Sequence, residues 1–192
     1  MKNIAILASG SGSNAQNIVQ YFADNKHVNV VLILSNNQNA YVLERAQKLN
    51  IPSFVFSRTD FYQTDIVLDK LSAYKIDFIV LAGFLWLIPD KLIQHFQNRI
   101  INIHPALLPK YGGKGMFGMK VHEAVKKSGD TESGITIHYV NEKYDDGKII
   151  FQKSVRIEVK DTPNDIANKI HRLEYEYFPK VIESILLNGD DK

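Results

Sequence analysis

The first hundred residues alternate near-continuous apolar runs with amphipathic stretches, and that rhythm leaves few folds open. Apolar runs at 4–8, 28–35, 54–56 and 77–83 read as strands. The segments 14–25, 40–49 and 61–74 between them read as helices; Ile18, Val19 and Phe22 share one side of the first, and Ile66, Leu68 and Leu71 fall at helical spacing in the third. A strand that is apolar at nearly every position has no face left for water. It must lie in a sheet covered on both sides. Strands of this kind joined through helices pair in parallel, with right-handed crossovers.

Beyond residue 100 the pattern changes. A short strand at 100–103 leads into a loop rich in Pro and Gly at 105–118, and a helix is predicted at about 119–127. Residues 135–140 then alternate well and 148–159 less cleanly, with the turn signal Asp145-Asp146-Gly147 between them. These two read as antiparallel strands. Thr162 and Pro163 open a last helix as N-cap and first helical residue. With no internal repeat and no low-complexity linker, the expectation is a single α/β domain over 1–192: a mostly parallel open sheet with helices on both faces and antiparallel strands in the C-terminal part.

Several functional classes drop out on composition. Lys and Arg total 23 against 21 for Asp and Glu, a net charge of +2, which disfavours a nucleic-acid binder that works through bulk charge. There is no Cys, so disulfides, thiolate zinc and a cysteine nucleophile are excluded. The longest apolar run, 78–88, is too short to span a bilayer. The chain enters a strand directly after Lys2 and Asn3, so no signal peptide is expected. A cytoplasmic protein without metal, membrane or nucleic acid is the expectation.

Two segments carry chemistry. Ser9-Gly10-Ser11-Gly12-Ser13-Asn14 stands between the first strand and the first helix. Glycine lets backbone approach a ligand there, and a helix N-terminus points free N–H groups at an anion. The alternative is a tight turn that only caps the helix. Gly10, Gly12 and Ala15 also satisfy a dinucleotide fingerprint, but the second strand ends Leu34-Ser35-Asn36-Asn37. No carboxylate is there for a ribose diol and no Arg for a 2′-phosphate, so phosphate binding survives and a nicotinamide dehydrogenase does not.

The second segment is Asn102-Ile103-His104-Pro105, at the carboxyl end of a strand, where ligands of open α/β sheets bind. Residues two apart on a strand face the same way, so Asn102 and His104 project together. An amide donor beside an imidazole suits an oxyanion developing on a carbonyl. Asp145 or Asp146 can reach His104 and hold its charged form, since a nearby carboxylate raises a histidine pKa. Equally, both can simply make a turn before Gly147.

Taken in order, the Ser9 to Asn14 loop, Leu81-Ala82-Gly83-Phe84, Asn102-Ile103-His104-Pro105-Ala106-Leu107-Leu108-Pro109-Lys110-Tyr111 and Asp145-Asp146-Gly147 closely resemble the phosphoribosylglycinamide formyltransferase family over essentially the whole chain. The resemblance implies a Rossmann-like formyltransferase fold, with residues 1–100 as the phosphate-binding half and 101–192 as the folate and catalytic half. It implies that 10-formyltetrahydrofolate is the co-substrate and 5-phosphoribosylglycinamide the acceptor in purine biosynthesis. By the same resemblance Asn102, His104 and Asp145 are the catalytic trio. Gly12, Ser13, Asn14 and Glu174 hold the acceptor. The backbone of Leu85, Trp86, Leu87 and Ile88, with Asn102, lines the folate pocket. Trp86 departs from the basic residue common there, the 112–119 loop is longer than the usual form and reads as a lid, and Asp146 stands where Gly is frequent. The rivals are another formyl-folate enzyme, such as one acting on a sugar amine, and a non-catalytic nucleotide-binding module. Added terminal domains typical of the transfer-RNA enzyme and the deformylating hydrolase are not visible in the sequence.

Overall fold

Seven strands form one sheet in the computed structural model, which describes residues 1–188. The elements in chain order are β1 (Lys2–Leu7), α1 (Ser13–Tyr21), β2 (Val28–Ser35), α2 (Tyr41–Lys48), β3 (Ser53–Val55), α3 (Arg58–Tyr62), α4 (Ile66–Ala73), β4 (Phe78–Leu81), α5 (Asp90–His95), β5 (Ile100–His104), α6 (Met119–Ser128), β6 (Glu132–Tyr139), β7 (Ile149–Arg156) and α7 (Pro163–Asn188). The sheet order is β3-β2-β1-β4-β5-β6-β7. The first five strands pair in parallel and the last two antiparallel. The fold is therefore the α/β class expected from the alternation of apolar runs.

Both faces of the sheet are covered, which is why its central strands carry so few polar residues. Ile4, Ile6, Ile101 and Ile103 point into a core closed by α1, α2, α6 and α7. Ala5, Leu7, Ile79 and Ile100 point into a second core closed by α3, α4 and α5. The direction of strand addition reverses between β1 and β4. A crevice opens at the carboxyl edge of such a switch point, because the loops after the two strands leave in opposite directions.

Two elements differ from the sequence expectation. The predicted helix at 61–74 is two helices. Ser57 starts the first one early through a capping box with Asp60. The Thr64 hydroxyl then donates to the Asp60 carbonyl at 3.1 Å and competes with continuation of the helix. The short helix α5 has six residues, too few for a period to stand out in sequence. At the other end Thr162 caps α7 as expected: Asp165 N–H donates to its hydroxyl at 3.2 Å, and Asp165 Oδ2 accepts from the Thr162 N–H at 2.9 Å.

Glycine is required where β6 meets its neighbours. A side chain at Gly134 would lie 2.1 Å from the Lys153 carbonyl, and one at Gly147 would lie 1.7 Å from the Tyr139 carbonyl. Gly147 thus fixes how closely the 145–147 turn lies against the end of β6, and so where Asp145 points.

The second core has an aromatic centre. Phe61 is fully buried, stacked on Phe56 at 4.9 Å between centroids and edge-on to Phe84 at 5.5 Å. Phe61→Ala is expected to cost about 3–5 kcal/mol, as ring removal from a packed core does. Chemical denaturation of parent and variant checks this, and a loss below about 1 kcal/mol would show that the cluster is not tightly packed.

Candidate active site

The crevice at the carboxyl edge of the sheet is a cleft of about 570 Å³. It gathers residues from the loop after β1, the segment after β4, the end of β5, the 112–118 loop, the 143–145 turn, α6 and α7.

Asp145 is the hub of this cleft. It sits at positive φ (53°), a conformation Asp tolerates better than most residues. Its Oδ2 accepts the Gly113 N–H at 2.9 Å and lies 3.4 Å from His104 Nδ1. Its Oδ1 lies 3.4 Å from the Asn102 amide nitrogen and 3.6 Å from His138 Nε2. Burial alone would raise this carboxyl's pKa, but the bond to His138, the His104 charge and the Gly113 N–H together hold it below the usual carboxylate range. Asp146 points elsewhere. Its side chain is 55% exposed, meets Lys143 Nζ at 3.8 Å and accepts from the Asn141 amide at 3.2 Å.

His104 is 3% exposed at the end of β5. Its Nε2 donates to the Tyr111 carbonyl at 2.7 Å, and its Nδ1 faces Asp145. Both neighbours are acceptors, which suits an imidazolium. The sequence reading expected Asp145 to hold the ring charged. Instead the His104 pKa is lowered: desolvation outweighs the upward pull of Asp145 and of the Tyr111 carbonyl, and His138 adds to the depression. His104 thus sits between two acceptors, while burial works against the charge they favour.

Asn102 faces the same way as His104, as the strand period requires. It pairs with His138 across β5 and β6, and its amide nitrogen lies 3.1 Å from His138 Nε2. His138 Nδ1 is itself tied to the Tyr139 carbonyl at 2.9 Å. The sequence reading did not single out His138. The alternation of β6 does carry the signal, since Ile135 and Ile137 face the core and His138 must face with Asn102. Only the strand register puts the two opposite each other.

The loop that supplies the Tyr111 carbonyl is anchored at its outer end. The Tyr111 hydroxyl donates to Asp130 Oδ2 at 2.8 Å and lies 2.6 Å from Ser128 Oγ, and Lys110 Nζ meets the same carboxylate at 3.0 Å. At its inner end Thr136 Oγ1 donates to the Ala106 carbonyl at 2.7 Å and accepts the Leu108 N–H at 3.0 Å.

The glycine loop forms the adjoining wall. Gly12 caps α1 at φ 71°, and a side chain there would lie 2.3 Å from Val42 Cγ2. Close approach to a ligand was the sequence argument for this glycine; positive φ and contact with α2 are the reasons the structure gives. The free N–H groups of the first turn of α1 open towards the cleft, which Gly12, Ser13 and Asn14 line. The Asn14 amide donates to Glu174 Oε2 of α7 at 2.9 Å. Burial pushes the Glu174 carboxyl up, while the Asn14 bond and the His171 charge pull it down.

On the far side Leu85, Trp86, Leu87 and Ile88 make an apolar wall. Its backbone is pinned: Ser9 Oγ accepts the Leu85 N–H at 3.0 Å, and the Tyr62 hydroxyl donates to the Leu87 carbonyl at 2.9 Å. Trp86 serves both core and cleft, packing near Phe61 at 5.9 Å and Tyr62 at 6.0 Å while lining the opening. Among the described residues no group of three or more His, Asp or Glu is placed to hold a metal ion. No described helix is long and apolar enough to cross a membrane.

Residues 2–182 match the formyl transferase family. A phosphoribosylglycinamide formyltransferase of Bacillus subtilis is 37% identical over 97% of this chain and 95% of its own length. A chloroplastic phosphoribosylglycinamide formyltransferase of Arabidopsis thaliana is 42% identical over 96% of this chain, which spans 65% of that longer protein. Among solved structures, glycinamide ribonucleotide transformylase 1 of Symbiobacterium toebii superposes with a TM-score of 0.89 at 29% identity, over 98% of this chain and 89% of its own.

The geometry around His104 yields a titration prediction. Asp145→Asn removes the main upward pull on a ring already depressed by burial, so the His104 pKa falls further. Asp146→Asn leaves it nearly unmoved, because that exposed charge is screened. NMR titration of the imidazole resonances measures both, and a larger shift from Asp146→Asn would reverse the assignment.

Proposed function

The chain belongs to the phosphoribosylglycinamide formyltransferase family, and we propose that it transfers the formyl group of 10-formyltetrahydrofolate to the amine of 5-phosphoribosylglycinamide in purine biosynthesis. The observation that carries this reading is the meeting of Asn102, His104 and Asp145 at the carboxyl edge of the sheet, in one cleft with the N-terminus of α1.

Each part of the cleft has a task in this reading. The first turn of α1, with Ser13 and Asn14, receives the phosphate end of the acceptor. Glu174, held by Asn14, faces the polar body of the same molecule. The apolar wall from Leu85 to Ile88, with Asn102, receives the folate heterocycle. The folate supplies an activated formyl carbon; a bond from the acceptor nitrogen forms, the bond to folate N10 breaks, and one proton passes from the amine to N10.

The chain's own residues act on the charge that gathers at the formyl oxygen. Asn102 offers an uncharged amide donor, and His104 adds positive charge when it takes up a proton between Asp145 and the Tyr111 carbonyl. Asp145 stabilises that proton more as negative charge develops nearby, so the group favours the transition state over the ground state. Proton traffic between the amine and N10 runs through His104 or a water it positions. Residues 1–100 hold phosphate and residues 101–192 carry the catalytic groups, although the wall at 85–88 lies in the first part and Glu174 in the second. The partners are small molecules, no metal takes part, and the site of action is the cytoplasm.

A formyl-transfer assay with the purified chain and both substrates tests the reading; no turnover with this acceptor, or equal turnover with a sugar amine, would overturn it. Asp145→Asn is expected to lower kcat by about 10²–10⁴ with both KM values little changed, as for a group used in the transition state. Asp146→Asn should stay within about tenfold of the parent. The opposite order of the two variants contradicts the role given to Asp145. Exhaustive chelation and assay in metal-free buffer should leave the rate unchanged; a loss restored by a divalent ion refutes the metal-free mechanism.

A further inference from the structure

Among the polar side chains of the cleft that have no task in the reading above, His122 is the one buried with an unpaired ring nitrogen. His122 lies on α6, just beyond the 112–118 loop, and lines the same cleft as Asn14, His104 and Glu174. The ring is 2% exposed, and its Nδ1 has no hydrogen-bond partner within the protein. A buried polar atom left unpaired is costly, and folded proteins rarely keep one without a use.

Packing does not account for it. Val121 and Val125, one turn apart on α6, are fully buried and Val125 belongs to the core between sheet and helices. His122 is rotated by roughly 100° from Val121 around the helix, towards the cleft. α6 packs against α7, the helix that carries Glu174 and His171. The ring therefore belongs to the side of the cleft given to the phosphorylated amine and not to the apolar wall at 85–88.

Its charge state narrows what it can bind. Burial, helped by the charges of His171 and His104, lowers the His122 pKa to about 4. At neutral pH the imidazole is uncharged. A neutral ring pairs well with a hydroxyl or an amide and poorly with a phosphate dianion, which the N-terminus of α1 serves better. Asn14 Oδ1, in the same cleft, is likewise buried without a partner. His122, Asn14 and Glu174 thus bring three polar side chains to one cleft.

We infer that His122 is a substrate-positioning residue, whose imidazole hydrogen-bonds an uncharged hydroxyl or amide group of the phosphorylated amine. The inference rests on the formyl-transfer reading. It assigns His122 to recognition of the acceptor's ribose or glycinamide portion, and makes no claim on the chemical step.

The test is steady-state kinetics of the full chain with His122→Phe and His122→Asn. Phe keeps a ring of similar size without nitrogen; Asn keeps a polar atom near the place of Nδ1. His122→Phe is expected to raise the KM for phosphoribosylglycinamide about 10–100-fold, with kcat and the folate KM within about threefold. His122→Asn should recover most of that loss, and thermal denaturation of each variant confirms folding. In the parent, which needs no substitution, the ¹⁵N resonance of His122 Nδ1 should move on saturation with phosphoribosylglycinamide alone. An unmoved resonance overturns the inference, as does an unchanged acceptor KM in a folded His122→Phe, or a folded His122→Asn as impaired as Phe. A parent that transfers no formyl group to this acceptor overturns the reading itself, and the inference falls with it.

Discussion

The cleft is organised around one partly buried carboxylate. Asp145 reaches four residues on three separate pieces of chain: the Gly113 amide in the long loop, Asn102 and His104 on β5, and His138 on β6. A desolvated charge is costly unless several donors share it, and here the donors come from the loop and from the paired strands β5 and β6. The same interaction therefore closes the 105–118 loop over the sheet edge and sets the orientation of the groups beside it. Gly147 makes this reach feasible, because any side chain there would push the turn off the Tyr139 carbonyl.

The competition at His104 decides what the imidazole can do. Proximity to a carboxylate is usually read as a guarantee of a charged histidine, yet the ring is 3% exposed and its pKa is lowered. Burial takes away water from the cation but does not move its two acceptors. Burial therefore works against the protonated form for which Tyr111 and Asp145 are already in place. A group in that condition responds to new negative charge nearby, since each added anion shifts the balance back towards protonation. Under the proposed formyl transfer, that property suits a residue beside a carbonyl oxygen that becomes charged only during reaction.

The sheet was legible because burial on both faces leaves a signature that survives in one dimension: β1, β2 and β4 are apolar at almost every position. The division of the 61–74 helix was not, because it depends on the Ser57 and Asp60 capping box and on the Thr64 hydroxyl, which act locally inside an otherwise helical pattern. In the cleft, Asn102 and His104 could be paired from the strand period alone. Asp145 and Asp146 could not be separated by spacing, since the direction of each side chain depends on a positive φ at 145 that sequence does not print. His138 was missed for a related reason: its partner is set by the register of β5 on β6, a long-range fact.

Gly12 shows how a motif can be right in place and different in cause. A glycine after the first strand suggests room for a ligand, but the missing side chain at 12 faces Val42, whose Cβ would lie 2.5 Å away. The residue lets α1 and α2 pack and lets the chain turn into α1 at positive φ. Substituting it would disturb two helices along with any bound anion, so a loss of activity there cannot be assigned to phosphate binding. Ser13 lines the same opening without that packing role. The physical contribution of the loop to anion binding then lies less in its glycines than in where they put the helix: at the switch point of the sheet, with the first-turn N–H groups of α1 turned towards the same volume as Asn102 and His104. A tight turn and an anion site are not rival explanations of this loop, because the turn is what aims the helix end.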